Sequence, residues 1–316
     1  MKDFTKPCII ISKCIEFSPC RYNGEIIRSA FIKKLKPYIN FIPVCPECAI
    51  GLGVPRKPIY IIMDTNRKRL IQTSTGNDLT DEMINVTDSY LNSLGDVEGF
   101  ILKSNSPSCG VKNVKAYSNC KKIEPVTTTA SGFFGAEVMN RYPSLGIEDE
   151  KSLMDMRIRE HFLTKVFTLS RFKRIDNIED LIQFNKDNKL LFTAYNPGEK
   201  HILDEIVSES KNKSLTDILN KYLNHLYKIF IHPQEPDSNV DIIMDVMNKF
   251  SSFISNQEKL LFMENIQRYR EGRITLSASR TLLKSWMIRS GNTTYVSQSF
   301  FNPYPVDLMG IDHIMD

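Results

Sequence analysis

No apolar run in this 316-residue chain approaches the ~18 residues that a membrane span requires. The apolar stretch near the N-terminus, CIIIS, is too short for a secretory signal and meets Cys14 almost at once, so the expected location is the cytoplasm. There is no internal repeat and no low-complexity tract, which excludes a repeat array and a compositionally biased, unfolded chain. Strong net charge is also missing. The formal charge is +4, with 19 Lys and Arg against 16 Asp and Glu in residues 1–150 and 22 against 21 thereafter. That balance does not by itself argue for nucleic acid, and a binding surface would have to come from clustering. Histidine is absent from the first half: all five lie after residue 160. Cysteine shows the opposite bias, with all seven between Cys8 and Cys120. The split locates the chemistry in the first half. Seven is an odd number, and a chain of this size needs no disulfide staples, so metal binding or catalysis is the better default.

What is present is the composition of a soluble globular protein, 41% hydrophobic and 25% charged, with length for two domains. Residues 1–147 alternate short β-branched runs (CIIIS, FIPV, IYIIM, GFILK) with helix-like stretches, as in an α/β domain with a mainly parallel sheet. Residues 148–151 read as a linker. From 152 to 316 apolar residues recur at three- and four-residue spacing, the amphipathic period of an all-α domain. The aromatic, proline-rich tail SFFNPYPVDLMG is expected to pack in irregular form.

Three cysteines occupy the same kind of place: Cys14 follows CIIIS, Cys45 follows FIPV and Cys109 follows GFILKSNSPS. Each run reads as a buried strand entering a loop, and open α/β sheets bind ligands outside the carboxyl ends of their strands. Three thiols at one such edge suggest a metal or cluster site with three protein ligands and one open position. Cys8 and Cys120 read as small buried hydrophobes. Cys45 and Cys48 form a CxxC, but the second pair usual in a four-cysteine structural zinc site is missing. A redox dithiol fits poorly too, because Gly51 and Gly53 follow where a helix would be expected. An iron–sulfur cluster suits scattered soft thiolates better.

The blocks SKC at 12–14, CRYNG at 20–24, CPE at 45–47, GLGVPR at 51–56, TGND at 75–78 and LKSNSPSCG at 102–110 follow one another as in the thiouracil desulfidase family. The resemblance extends to about residue 147. Asn23 stands where that family typically has Asp. In the second half, LLFTAYNP at 190–197, SNQEK at 255–259, YREG at 269–272 and NPYP at 302–305 resemble the helical domain fused to this module in bacterial tRNA 4-thiouridine desulfidases. Asn185, Asn188 and Asp241 stand near positions where that domain carries histidines.

The resemblance implies a 4Fe–4S cluster held by Cys14, Cys45 and Cys109, with one iron open, and the hydrolytic removal of sulfur from a thiolated pyrimidine. An open iron would polarise the C=S bond as a Lewis acid. The attacking water needs a base, and Glu47, two residues from Cys45, is the candidate; pairing with Arg21 or Arg56 is its alternative role. Ser106, three residues before Cys109, is the candidate relay. Ser104 and Ser108 are expected to make hydrogen bonds within their tight loop, Lys103 to be solvated and Cys48 to point away from the cluster.

The fused domain makes tRNA the expected partner, because a small pyrimidine does not need so large an addition. Arg157, Arg159, Arg171, Lys173 and Arg174, and separately Arg268, Arg270, Arg273, Arg280, Lys284 and Arg289, are candidate phosphate contacts beside aromatic residues that could stack on a splayed-out base. The favoured reading is conversion of 4-thiouridine to uridine in tRNA. Its rivals are a desulfidase of free 2- or 4-thiouracil and a non-catalytic protein with a structural metal.

Overall fold

The structure, a computed structural model, describes residues 4–64, 67–72, 74–118, 125–210, 213–291 and 295–309. They form two compact units, one drawn from 6–162 and the other from Leu163 onward together with Phe4 and Thr5. In the first unit the chain runs β1 (Cys8–Ser12), α1 (Ala30–Leu35), β2 (Asn40–Val44), α2 (Pro46–Ala49), β3 (Tyr60–Asp64), β4 (Arg67–Gln72), β5 (Asn77–Asp78) and α3 (Thr80–Ser93). It continues through β6 (Gly99–Leu102), β7 (Val114–Tyr117), β8 (Pro125–Ala130), α4 (Phe133–Arg141) and β9 (Gly146–Asp149).

Two sheets result. The first has the order β2-β1-β6-β9 and every pairing in it is parallel. The burial of its central strands accounts for their composition: Ile9, Ile10 and Ile11 of β1 and Phe100, Ile101 and Leu102 of β6 are fully buried. A strand covered on both faces reads as a continuous apolar run rather than an alternating one. Phe100, Leu102 and Ile10 pack with Leu91, Phe134 and Val138 from the helices over one face. The second sheet has the order β5-β4-β3-β7-β8 and is mixed. Strand β3 pairs parallel with β7, whereas β3–β4, β4–β5 and β7–β8 are antiparallel. The α/β reading with a parallel sheet therefore holds for the site-bearing sheet. The antiparallel pairs are not evident from the sequence, because a half-exposed strand such as RKRLIQ carries too many charges to read as one.

Of the linker expected at 148–151, Glu148 and Asp149 are instead part of the sheet, and Glu150 and Lys151 form the turn after it. Strand β9 pairs with β6 from Gly99↔Gly146 to Leu102↔Asp149. The acidic run has internal partners. Asp149 Oδ1 accepts the Lys151 and Ser152 amides at 2.9 and 2.7 Å, and Glu150 accepts from Lys103 and Ser104.

Helix α5 (Met156–Phe172) leads into the second unit, which holds α6 (Ile178–Asp187), α7 (Lys189–Tyr195), α8 (Pro197–Ser208), α9 (Leu215–Ile229), α10 (Pro236–Lys249), α11 (Asn256–Arg270) and α12 (Ser277–Arg289). Its helix starts are written in the sequence. Asn177 caps α6, Asn196 caps α8 with Pro197 next, and Ser255 with Glu258 forms a capping box on α11. Stacked rings of Phe172 and Tyr222, 5.4 Å apart, sit in its core. The irregular tail packs as expected, with Phe300, Phe301 and Tyr304 buried. Among the described residues no helix is long and apolar enough to cross a membrane.

Candidate metal centre and active site

Parallel strands β1, β2 and β6 end on the same edge of the first sheet, and each leads into a cysteine loop. Beyond β1 the chain turns at once, the Ile15 amide bonding to Ser12 O at 2.9 Å, and Cys14 O accepts the Ile27 amide at 2.8 Å. Beyond β2, Cys45 is the extended N-cap of α2, Pro46 occupies its first turn and Glu47 follows. Proline suits that position because its missing N–H is unneeded there, and an acidic residue suits the positive end of a helix. That is the local physics of the CPE motif. Ser12 Oγ accepts the Lys103 amide at 2.9 Å, tying the end of β1 to the end of β6.

The loop carrying Cys109 is held by α4. The Gly132 amide reaches Gly110 O at 2.7 Å, Phe133 reaches Pro107 O at 3.1 Å and Gly135 reaches Ser108 O at 3.1 Å. So close an approach requires the absence of side chains. A Cβ on Gly135 would lie 2.6 Å from Cys109 O, and one on Gly132 would lie 2.6 Å from the Ser108 carbonyl carbon. The SGFFG segment thus acts as the seat of the cysteine loop.

Cys14, Cys20, Cys45 and Cys109 all line one cavity of about 340 Å³, and Glu47, Ser106 and Ser108 line it too. The sulfurs of Cys20, Cys45 and Cys48 lie within 4.8 Å of one another. The three cysteines expected as ligands are thus brought to one cavity, and Cys20 and Cys48 stand beside them. Cys48, expected to point away from the cluster, does not line the cavity, but its sulfur stays close to those of Cys20 and Cys45. The turn of α2 that presents Cys45 also carries Cys48 back toward Cys20, and Arg56 Nη1 lies 3.9 Å from its sulfur. Cys8 packs at the rim of the first sheet's core. Cys120 lies outside the described residues.

The thiols crowd and bury one another. Hydrogen bonding to Cys14, with burial adding, pushes Cys20 up to about 11. Cys20 beside it, then burial, pushes Cys45 well above the usual thiol range. Burial first, and then Cys45, raises Cys48. Burial pushes Cys109 up to about 12. A cluster of protonated thiols is what a soft cation converts to thiolates, releasing protons as it binds. The donor set is all sulfur and fits iron–sulfur ligation.

Glu47 is fixed from both sides. Arg56 grips Oε2 through Nε at 2.8 Å and Nη2 at 2.7 Å, and Ser108 Oγ donates to Oε1 at 2.6 Å. Burial opposes the charge on Arg56, and the Glu47 carboxylate more than offsets it, so the guanidinium pKa is raised. Arg56 also donates to Cys20 O at 2.9 Å and Gly53 O at 3.2 Å. It therefore joins the loop carrying Cys20 to α2. Ser106 sits one step from Glu47: its Oγ lies 3.0 Å from Ser108 Oγ and accepts the Ser108 and Cys109 amides at 3.3 and 3.0 Å. Arg56 and Ser108 are the site residues that sequence reasoning undervalued. Their signal was position alone, Arg56 closing the GLGVPR block and Ser108 preceding Cys109.

Other expected residues have structural duties. Asn23 Oδ1 accepts the Glu25 amide at 3.2 Å, forming the turn before it. Lys103 is not solvated; it pairs with Glu150 at 2.5 Å and donates to Ser104 Oγ at 2.8 Å. In the second unit, Asn185 links Asp204 to Tyr222, and Asn188 bonds to Phe184 O and accepts from Arg171. Some of the basic side chains expected as phosphate contacts also have partners within the protein. Arg171 donates to Ser299 and Asn188, Arg280 is buried over the Phe300 ring, and Lys284 donates to Asn302. Arg270, Arg273 and Arg289 pair with Asp237, Glu271 and Glu258. Helical charge runs do not distinguish a solvated face from a pairing one, so the internal contacts of Arg171, Arg280 and Lys284 are not evident from the sequence.

Residues 9–150 match the family model described as 2-thiouracil desulfurase, and residues 189–305 match a model for a protein of unknown function, DUF1722. The uncharacterised protein YbbK of Bacillus subtilis (strain 168) is 36% identical over an alignment of 110 residues that covers 32% of this chain and 72% of that protein. Among solved structures, the 4Fe-4S-dependent thiouracil desulfidase TudS is 27% identical, with 49% of this chain and 98% of that one covered and a TM-score of 0.39. With its motifs at the strand ends, the family match over residues 9–150 and the likeness to YbbK, the chain belongs to the 2-thiouracil desulfurase family.

Proposed function

We propose that the protein is a cytoplasmic enzyme that removes sulfur from thiolated uracil in tRNA, converting 4-thiouridine to uridine. Residues 1–147 would carry the reaction and residues 152–316 the recognition of tRNA. The observation that carries the reading is Glu47, a carboxylate held by Arg56 and Ser108 on the wall of a cavity that also presents four thiols.

In this reading Cys14, Cys45 and Cys109 hold a 4Fe–4S cluster. When bound, the cluster supplies a soft Lewis acid for the sulfur of the substrate. The remaining work falls to protein groups. Water attacks the thiocarbonyl carbon, a C–O bond forms, the C–S bond breaks, and the sulfur leaves as hydrogen sulfide with the protons of the water. Glu47 is the base. Arg56 occupies Oε2, so the proton is taken at Oε1, where Ser108 Oγ donates a hydrogen bond and can orient the water or pass its proton. Ser106 positions Ser108 and the Cys109 amide.

The tRNA assignment draws support from the size of the second unit, a helical domain larger than a pyrimidine requires. A second ligand reading, Cys20, Cys45 and Cys48, is favoured by their sulfur separations alone. The test uses protein purified without oxygen. A brown protein with iron and acid-labile sulfide that converts 4-thiouridine in bulk tRNA, while Glu47→Ala stays brown and inert, is expected. Activity on free 2- or 4-thiouracil only would replace tRNA by the free base. A colourless, zinc-loaded, inactive protein would leave a structural metal domain.

A further inference from the structure

A second cavity of about 420 Å³ adjoins the cysteine cavity. Tyr22, Glu47, Asn105 and Pro107 line both, so they form the wall between them. The far side of the second cavity is the outer face of β3 and β7. These strands pair in parallel with Ile61 opposite Ala116 and Ile62 opposite Tyr117. Alternation does the rest. Ile61, Val114 and Ala116 turn inward and pack with Phe133. Tyr60, Lys115 and Tyr117 turn the other way.

Tyr60 and Tyr117 are diagonal neighbours on that face, within the reach of aromatic side chains. Their rings stand edge to face, with centroids 5.8 Å apart and planes at 80°. Lys115, between β7's Val114 and Ala116, is exposed beside them. The charged residues lining this cavity are Lys115 and Glu47, and the Glu47 carboxylate is countered by Arg56. An aromatic wall, an exposed cation with no acidic partner among the described residues and continuity with the reaction cavity together match a base with its phosphate. Base–aromatic stacking and a phosphate-seeking lysine are the usual elements of single-strand recognition. A lone pyrimidine in the cysteine cavity would leave all three unused.

We propose that the Tyr60–Tyr117–Lys115 cleft seats the nucleotide next to the thiolated one, its base stacked on the tyrosines and its phosphate met by Lys115. This rests on the desulfidase reading of the adjoining cavity and deepens it, because it places polynucleotide recognition in the first domain itself. Glu47 then stands between the reacting base and its neighbour.

Two measurements test it with the full chain. The first is the affinity, by fluorescence anisotropy, for a short RNA with uridine at the reacting position, which needs no turnover. The second is the ratio of kcat/KM for the same RNA carrying 4-thiouridine to that for free 4-thiouracil. The variants are Tyr60→Leu with Tyr117→Leu, and separately Lys115→Glu, whose exposed position spares the core. Each is expected to weaken RNA binding about 10-fold, within the range a stacked base is worth, and to lower the kcat/KM ratio to match. Unchanged binding, no RNA binding by the wild type, or an equal fall on RNA and free base would overturn the proposal. A wild type that binds RNA through these residues but releases no sulfide from any substrate would leave the cleft standing and sink the desulfidase reading instead.

Discussion

Ser108 Oγ donates a 2.6 Å hydrogen bond to Glu47 Oε1, joining the loop after β6 to the helix after β2. The bond holds the candidate base in one rotamer at the free oxygen of an ion-paired carboxylate. Replacing Ser108 by Ala should therefore lower kcat by about 100-fold, within the range of a lost proton-transfer group, with the visible spectrum kept. Ser106→Ala should differ. Its hydroxyl holds two backbone amides of the Cys109 loop, so iron content should fall along with the rate. Metal analysis of both variants distinguishes the roles. Equal iron loss in each would assign Ser108 to the loop.

Arg56 and Glu47 form a nearly buried pair, their side chains 6% and 13% exposed. Removing one partner of such a pair leaves the other charge unpaired, at a cost of about 3 kcal/mol. Arg56→Ala should show that loss in urea unfolding of the metal-free protein, where the cluster cannot mask it. It also unties the loop carrying Cys20 from α2, whose N-cap is Cys45, so the same variant should hold less iron. An unfolding midpoint equal to wild type would show the pair to be energetically idle.

Lys68 gives a pH signature independent of the site. Burial lowers its pKa to about 8, although Nζ donates to Ser131 O at 2.6 Å and lies 4.4 Å from the Phe133 ring centroid. An unfolded lysine titrates near ~10.4, so between these values the unfolded chain binds the extra proton. The penalty for burying the charge is full below about 8 and is relieved as pH rises toward ~10.4. Unfolding free energy should thus rise over that window relative to Lys68→Met. A flat difference between the two proteins would show that Lys68 keeps an ordinary pKa.

The parallel sheet was legible because β1 and β6 are buried on both faces, and unbroken apolar runs as short as CIIIS and GFIL point to covered strands. The cysteine loops were legible for the same reason, since each follows one of those strands or β2. The second sheet was not. Strands β4 and β7 are half exposed, and their lysines and arginines hide the alternation. Strand β9 was hidden by the acidic residues at its end, which have their partners in Lys103 and in backbone amides. Contacts made across the fold, such as Arg56 on Glu47 and Ser108 on Glu47, leave no trace in spacing. Sequence reasoning singled out Glu47 as the candidate base and Ser106 as the candidate relay, whereas the hydroxyl in contact with Glu47 belongs to Ser108.

The glycines under the cysteine loop offer a test of how the fold positions the site. A methyl at residue 135 would meet the carbonyls of Cys109 and Gly110, and backbone cannot move aside cheaply. Gly135→Ala should cost about 1–3 kcal/mol, the usual penalty of overpacking. Because the strain falls on the Cys109 loop, iron content should drop more than helicity does. Circular dichroism beside iron analysis separates the effects. Full iron occupancy in this variant would mean that the loop adapts and that α4 is not its seat.

Five thiols stand where three would suffice, and single Ala variants decide which of them hold iron. Cys14, Cys45 and Cys109 each lie beyond a different strand of one sheet and share the cavity that contains Ser106 and Ser108. Cys48 belongs to the same short helix as Glu47, and its sulfur faces Cys20 and the Arg56 guanidinium. A cluster with an open iron toward the cavity calls for ligands on the cavity wall, which favours the first set. Cys14→Ala, Cys45→Ala and Cys109→Ala should come out colourless, each without iron and acid-labile sulfide. Cys48→Ala should keep both, and Cys20→Ala should keep most of the iron while losing a neighbour that crowds Cys14 and Cys45. The alternative set makes the opposite demand: Cys20→Ala and Cys48→Ala colourless, Cys14→Ala and Cys109→Ala brown. Cys45 belongs to both sets, so its variant controls for cluster loss, and the other four carry the decision.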